Sequence, residues 1–568
     1  MELVLNPTYK DIFEEEEPEI SDLLISIPSG VCISLLSYIS SQLYISKGKD
    51  TQIQIFNFLT QRFDKNIKGK IKRNINNQVL KDTSNKIQLF TLIGNLEFIH
   101  FELINYRNFE LSDTNPTQEL NFFKAYFVIT TDLQRNYSID KNLKTKNPRD
   151  YFRKQLWPII VSQVNINQNV NPYVGLIKGL HFLDYFERNY NNYLTNFLSL
   201  NGKNNKWQYM TDLMGLLSHA WVDNPKNEMT AFRIPTSNDY FTLFDHLILD
   251  LDRYKKKYKD NKLDFTGLKD KPLMKLNDSL IIMNWNFISN KMYDGLVFDF
   301  YSNSGIKTNK KFKKFTDYKN YIGTQITEKS LFKKCIKPYC NKKYSKLIFD
   351  DNEIEGFPDA YYRTGNNVFL FELKDAYFPA NVINSYSYTN IKKVLDSKFN
   401  SENKGTGQLA KSIIDFSKNK FTAFDEKLSQ IRDRNITIHP IIIYTDSTYE
   451  SPGFNLYLAE QLKIKIKTII EEGRFKIIKD LTFINISFFV NHLELVNKMD
   501  LIELIDFYQS KVKKLSKKHL RTNDFDTLHK MNNPLEFFMD DFLKIKKMDF
   551  NRPDFESVAK LLDLKMDL

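Results

Sequence analysis

Between residues 359 and 374 two runs of strand-forming residues, Asp359-Ala-Tyr-Tyr-Arg363 and Val368-Phe-Leu-Phe-Glu-Leu-Lys374, flank the tetrapeptide Thr364-Gly365-Asn366-Asn367. Tyr, Phe and Val suit a pleated, half-buried surface, and Gly at the first central position of a two-residue turn favours a type II′ hairpin. A turn centred between Gly365 and Asn366 dictates the pairing: 364 faces 367, 363 faces 368 and, by continuation, 359 faces 372. Strand alternation puts Val368, Leu370, Glu372 and Lys374 on one face and Phe369, Phe371 and Leu373 on the other. Asp359 and Glu372 therefore face each other, with Lys374 two residues beyond on the same side. Two carboxylates opposed across a hairpin at about 5 Å between Cβ atoms repel unless something positive lies between them. A divalent cation meets that need, and a set of oxygen ligands without His or Cys selects Mg²⁺ (or Mn²⁺) over zinc. Lys374 is placed to hold or polarise a water, or to stabilise charge on a phosphate oxygen. The plainer alternative is a surface hairpin whose Glu and Lys are solvated.

Pro358-Asp359 followed by Glu372-Leu373-Lys374 resembles the PD-(D/E)xK, or restriction-endonuclease-like, nuclease superfamily, and the resemblance covers about 318 to 490. The family often carries an acidic residue on the helix before its first core strand; here Glu328 shares a helical stripe with Tyr321, Phe332 and Cys335. The family also often has a Gln on the helix after the ExK strand, and Gln408 opens a helix in KGTGQLAKSII, Lys404 to Ile414. That helix N-terminus is a natural phosphate site. A partly exposed Glu328 and a plain N-terminal Gln408 are the competing readings. The resemblance implies phosphodiester hydrolysis by a metal-activated water. It makes Asp359, Glu372, Lys374 and Gln408 the catalytic set, with Mg²⁺ or Mn²⁺ held by Asp359, Glu372, the Leu373 carbonyl and Glu328. The partner it implies is nucleic acid, DNA expected ahead of RNA, and the architecture suits the effector of a bacterial anti-phage defence or restriction system. The alternative from a different class is a non-catalytic nucleic-acid-binding or assembly protein that keeps the fold as a scaffold.

The rest of the chain sets the context. At 568 residues it exceeds what one hydrophobic core serves, so two or three domains are expected. A hydrophobic share of 42% excludes a disordered chain. The net charge of +12 suits a polyanionic partner. Of three lysine runs (255–259, 310–314 and 511–518), the second, with Lys310, Lys311, Lys313 and Lys314, lies just upstream of the motif and is expected to touch phosphates, together with Lys404. Only Cys32, Cys335 and Cys340 occur, too few for a disulfide scaffold, which points to a reducing cytoplasm. Leu23 to Ile45 is uncharged and long enough to cross a bilayer. Pro28 and Gly30 interrupt it, however, and Gly30, Ser34, Ser37 and Ser41 fall opposite Leu35, Ile39 and Leu43, so a soluble amphipathic helix and no membrane partner are expected. His219, His246, His439 and His492 stand in apolar surroundings as core residues, and no phosphate-cradling GxxxxGK[ST] loop is present.

The expected fold class is α/β: a C-terminal restriction-endonuclease-like α/β core behind a large mixed α+β, mainly helical N-terminal region. Residues 1–300 are expected to form a sensor, target-recognition or partner-binding region open to a protein partner or activating ligand, 301–500 the nuclease domain, and 501–568 a helical C-terminal extension. In the first region Lys86 to Ile104 alternates about Gly94 like a hairpin, Phe122 to Thr130 and Leu296 to Phe300 look like strands, as does Leu280 to Met283, and Tyr254 to Asp278 looks like an exposed loop or linker. From Tyr318 the expected order is helix (to Ile336), strands Lys346–Phe349, Asp359–Arg363 and Val368–Lys374, helix Gly407–Lys418, strand Ile436–Tyr444, helix Leu456–Glu472 and strand Phe483–Val490.

Overall fold

The computed structural model describes residues 6–81, 88–110, 113–136, 147–167, 171–222, 233–235, 241–259, 264–351, 354–548 and 555–565. The chain forms two compact units, each built from two stretches: Glu2–Ile139 with Ile166–Thr308, and Asp140–Asn165 with Asn309–Asp567. The main break falls between Thr308 and Asn309, and the partition has two further features. Asp140–Asn165 joins the C-terminal unit, and residues beyond 500 belong to that unit rather than standing apart. Both follow from buried contacts. Trp157, fully buried on the helix Pro148–Asn167, donates its Nε1–H to the Pro452 carbonyl at 3.0 Å and packs edge-on against Phe454 and Tyr457. From the other end of the chain, Glu536 Oε1 accepts the Asn485 N–H at 2.8 Å, fastening the extension to the sheet.

The first unit is mainly helical, with a three-stranded antiparallel sheet of β1 (Arg233–Pro235), β2 (Leu273–Leu276) and β3 (Ser279–Ile282) in the order β1-β3-β2. Its central helix, Ser29–Ile45, is buried on nearly every side rather than amphipathic. Three of its serines satisfy their hydroxyls on carbonyls, Ser34 Oγ donating to Gly30, Ser37 Oγ to Ile282 and Ser41 Oγ to Tyr38. An apolar all-round helix is the mark of a large core, and no described helix is long and apolar enough to cross a membrane. Several strand expectations give way to helix for the same reason. Leu92–Ile104 is a helix capped by Thr91, whose hydroxyl accepts the Gly94 N–H; Phe122 to Thr130 lies within the helix Pro116–Asn136, and Leu296 to Phe300 within Asp294–Asn303. Where several faces of a helix are buried, apolar residues crowd them and the run imitates a strand. Among the described residues of 254–278, expected as a linker, are instead part of the helix Leu251–Tyr258, the short helix Thr266–Asp270 and β2, with Tyr254, Tyr258, Phe265 and Leu268 buried.

The second unit is mixed α/β around a mixed six-stranded sheet: β4 (Lys346–Phe349), β5 (Ala360–Thr364), β6 (Asn367–Lys374), β7 (Thr437–Tyr444), β8 (Ile477–Ile478) and β9 (Thr482–Asn485). β4, β5 and β6 form an antiparallel meander; β7 runs parallel to β6, and β8 and β9 parallel to β7. β7 is buried along its whole length, as a parallel strand covered on both faces should be. The helix Thr406–Ser417 lies on the crossover from β6 to β7. A long helix precedes the sheet, running through Phe315–Tyr321, a π-wound Ile322–Phe332 and Lys333–Tyr339. β9 is shorter than expected, because Asn485 ends it by capping the helix Ile486–Asn491 with its side-chain oxygen on the Ser487 N–H.

Candidate metal centre

The β5–β6 hairpin pairs Thr364 with Asn367, Arg363 with Val368 and Ala360 with Phe371, the register that the turn arithmetic requires. Gly365 takes φ +56°, while Asn366 stays out of the left-handed region. Only a glycine holds the first conformation without strain, so the turn fixes the ladder. The far side of the hairpin is anchored by a buried ion pair: Arg363 meets both oxygens of Asp425, and Tyr361 Oη donates to Oδ2 at 3.0 Å.

At the open end of this hairpin Asp359 stands just before β5, its Oδ2 accepting the Leu373 N–H at 2.6 Å. Glu372, on β6, is only 1% exposed. Its Oε2 accepts from Lys374 Nζ at 3.2 Å, while Oε1 is buried without a hydrogen-bond partner. Glu328, on the π-wound part of the long helix, acts on the same charges through space. Burial pushes the Glu372 carboxyl well above the usual carboxylate range, and Asp359 pushes it further. Asp359 is raised by burial against the pull of Lys374 and the Leu373 N–H, and Glu328 by burial and then by Asp359. Burial pulls the Lys374 ammonium down, but Glu372 and Asp359 outweigh it and leave its pKa above the ordinary value. Electrostatically the four groups behave as one set.

The donor set fits a hard divalent cation. It is all oxygen, and it includes a buried carboxylate atom with no partner, whose desolvation is otherwise uncompensated. It is not a ready-built cage: among the described residues no three His, Cys, Asp or Glu side chains gather tightly enough to enclose an ion by themselves. The Leu373 carbonyl and solvent would have to complete the shell.

Gln408 is placed differently. Its Oε1 accepts the Gly405 N–H at 3.2 Å and so caps its own helix. Lys404 and the run Lys310, Lys311, Lys313 and Lys314 are exposed, with Lys311 Nζ 4.1 Å from the ring centroid of Tyr321 on the long helix. His439 and His492 are buried, with burial holding each near pKa 4, and His246 shares a hydrogen bond with the Leu200 carbonyl, while the side chain of His219 lies outside the described residues. All three cysteines are buried.

One residue beyond the motif, the buried side chain of Asp375 is bonded to Lys319, Thr327 and Thr445, a cluster that sequence reasoning missed. The available signal was an acidic residue directly after Lys374, whose partners lie far along the chain. Comparison with protein-family models, with curated proteins and with solved structures found no match to this chain.

Proposed function

We propose that this protein is a metal-dependent nuclease of the PD-(D/E)xK type, hydrolysing phosphodiester bonds in nucleic acid, with DNA the expected substrate. The observation that carries the reading is Glu372: a carboxyl almost wholly out of water, next to Asp359, with one oxygen on Lys374 and the other without a partner. Buried, incompletely paired acids of this kind are expensive and concentrate at functional sites. The order helix, three antiparallel strands, helix, parallel strand supports the same reading, since it delivers these residues to one end of the sheet.

Asp359, Glu372, the Leu373 carbonyl and Glu328 would hold the cation. Bound there, a divalent metal supplies a water of lowered pKa and neutralises charge on phosphate oxygens. The Leu373 N–H engages one oxygen of Asp359 and holds the carboxyl beside Glu372. Lys374 stays protonated beside its acidic neighbours and presents an ammonium to a phosphate oxygen or to the attacking water, where a positioned charge is worth far more than in bulk solvent. Exposed Lys310, Lys311, Lys313, Lys314 and Lys404 supply backbone attraction without sequence preference. A cytoplasmic nuclease needs restraint, which suits a defence effector whose helical unit senses a trigger or partner.

The purified full chain is incubated with plasmid DNA, linear DNA and RNA in Mg²⁺ or Mn²⁺. Cleavage is expected in the wild type, and Asp359→Ala, Glu372→Ala and Lys374→Ala should each lower it by about 10²-fold or more. Equal cleavage by wild type and all three variants would identify a contaminant and defeat the reading. Tight nucleic-acid binding with no divalent cation bound by calorimetry would favour a non-catalytic role.

A further inference from the structure

At the residue after Lys374, strand alternation turns the side chain away from the Glu372 face. Asp375 occupies this position with its side chain 8% exposed, and its two oxygens take three donors. Lys319 Nζ at 2.5 Å and Thr327 Oγ1 at 3.2 Å reach Oδ2, and Thr445 Oγ1 at 2.7 Å reaches Oδ1. Lys319 and Thr327 lie on the long helix with Gly323 midway between them. A Cβ at Gly323 would stand 3.1 Å from Asp375 Oδ2, so the helix comes close to the carboxylate where glycine has no side chain to crowd it. Glu328 is the next residue after Thr327, and Thr445 directly follows β7. One carboxylate thus ties the helix bearing Glu328 to the strand bearing Glu372 and Lys374, and both to the end of β7.

Fastening alone does not call for a charge, because an apolar side chain of similar size is often as stabilising as a buried ion pair. What the ion pair and two hydroxyl contacts add is a defined helix position, where apolar packing would permit sliding. The tethered stretch lies in the π-wound segment Ile322–Phe332, a geometry that recurs at functional sites. We propose that Asp375 is a positioning residue: through Lys319, Thr327 and the close approach at Gly323 it sets the helix against the end of β6, so that Glu328 joins Asp359 and Glu372 in holding the divalent cation. This rests on the metal-dependent reading above, and Asp375 acts only through Glu328.

The test is Mn²⁺ binding to the full chain by calorimetry, with DNA cleavage against Mn²⁺ concentration as a second readout. Asp375→Asn should weaken Mn²⁺ binding by about ten- to a hundred-fold, the usual range for a residue that orients a ligand. Gly323→Ala, which crowds the carboxylate, and Thr445→Val, which removes only the β7 tether, should weaken it less and in the same direction. They carry the test if Asp375→Asn does not fold. Glu328→Gln should weaken binding as well, and Asp375→Asn combined with Glu328→Gln should bind no more weakly than Glu328→Gln alone. A merely structural role would instead make the two losses add. Mn²⁺ binding by Asp375→Asn equal to wild type while Glu328→Gln is impaired overturns the proposal and leaves the nuclease reading standing, and so does full additivity. Mn²⁺ binding that is the same in Glu372→Ala and wild type overturns the metal reading and this proposal with it.

Discussion

At Glu372 a carboxyl group has almost no water, one ammonium contact and an oxygen with no partner, and Asp359 beside it is also raised above its usual pKa. Groups whose folded-state pKa is raised contribute stability that is fully present below the unfolded value and is lost as pH rises through the folded one. The metal-free protein should therefore lose stability as pH climbs out of the ordinary carboxylate range. A cation that displaces those protons should restore it, by an amount that grows with pH. Millimolar Mn²⁺ is expected to raise the Tm of the wild type. Asp359→Asn, which can still accept the Leu373 N–H, should melt no lower than wild type without metal and show a smaller metal shift. Equal shifts in the two proteins would place the stabilising cation elsewhere. His439 works in the opposite sense. It is buried against Phe369, and burial lowers its pKa from 6.5 to about 4, so its contribution is lost as pH falls through that window. By linkage, His439→Leu should reduce the acid-induced loss between neutral pH and the lower end of that window by about 2 kcal/mol in urea unfolding. An unchanged pH slope would rule out His439 as one of the groups responsible. The β5–β6 register was legible in the sequence because hairpin pairing is arithmetic. The role of Asp375 was not, since it depends on partners brought in by the long helix and by β7.

Among elements, those bounded by punctuation were the legible ones. Gly365 marks the turn, and the strands on either side match their expected spans to within a residue at each end. In the helical unit the punctuation is sparse and the apolar residues are too many to reveal a period, so buried helices imitated strands. The β5–β6 hairpin also has a device that pattern could not disclose: Arg363, 4% exposed, held by Asp425 from a segment far along the chain. Removing one partner of such a pair leaves a buried charge uncompensated, at a cost of about 3–5 kcal/mol. Asp425→Ala is expected to lower stability by that order in urea unfolding, while Arg363→Met combined with Asp425→Leu recovers most of the loss. If Asp425→Ala costs less than about 1 kcal/mol, Arg363 has another outlet and the hairpin is not anchored there.

The composition of the unit that carries the site has a consequence for the whole molecule. It uses the chain twice, because Asp140–Asn165 packs with Asn309–Asp567 while the intervening residues belong to the other unit. Arg149 and Arg153 on the helix Pro148–Asn167 both pair with Glu460, at 2.8 and 2.7 Å, and Trp157 fills the space beside Phe454 and Tyr457. No composition shift announces this, since the stretch continues a run of helical periodicity and its partners lie some three hundred positions away. Truncating a buried Trp alone costs about 3–5 kcal/mol, a large part of what a domain possesses. Residues 309–568 expressed alone should therefore be poorly soluble or bind the dye that reports exposed apolar surface, and should show no Mn²⁺-induced rise in Tm. Fusing residues 140–167 ahead of 309–568 through a flexible linker should restore both properties. The fused protein is then the proper subject for asking whether the proposed nuclease activity is toxic once freed of the rest of the helical unit, with Glu372→Ala as the control. If 309–568 alone melts cooperatively at the temperature of the fused protein, the helix Pro148–Asn167 is only an ornament on a self-sufficient fold, and the account of this unit as built from two stretches of chain fails.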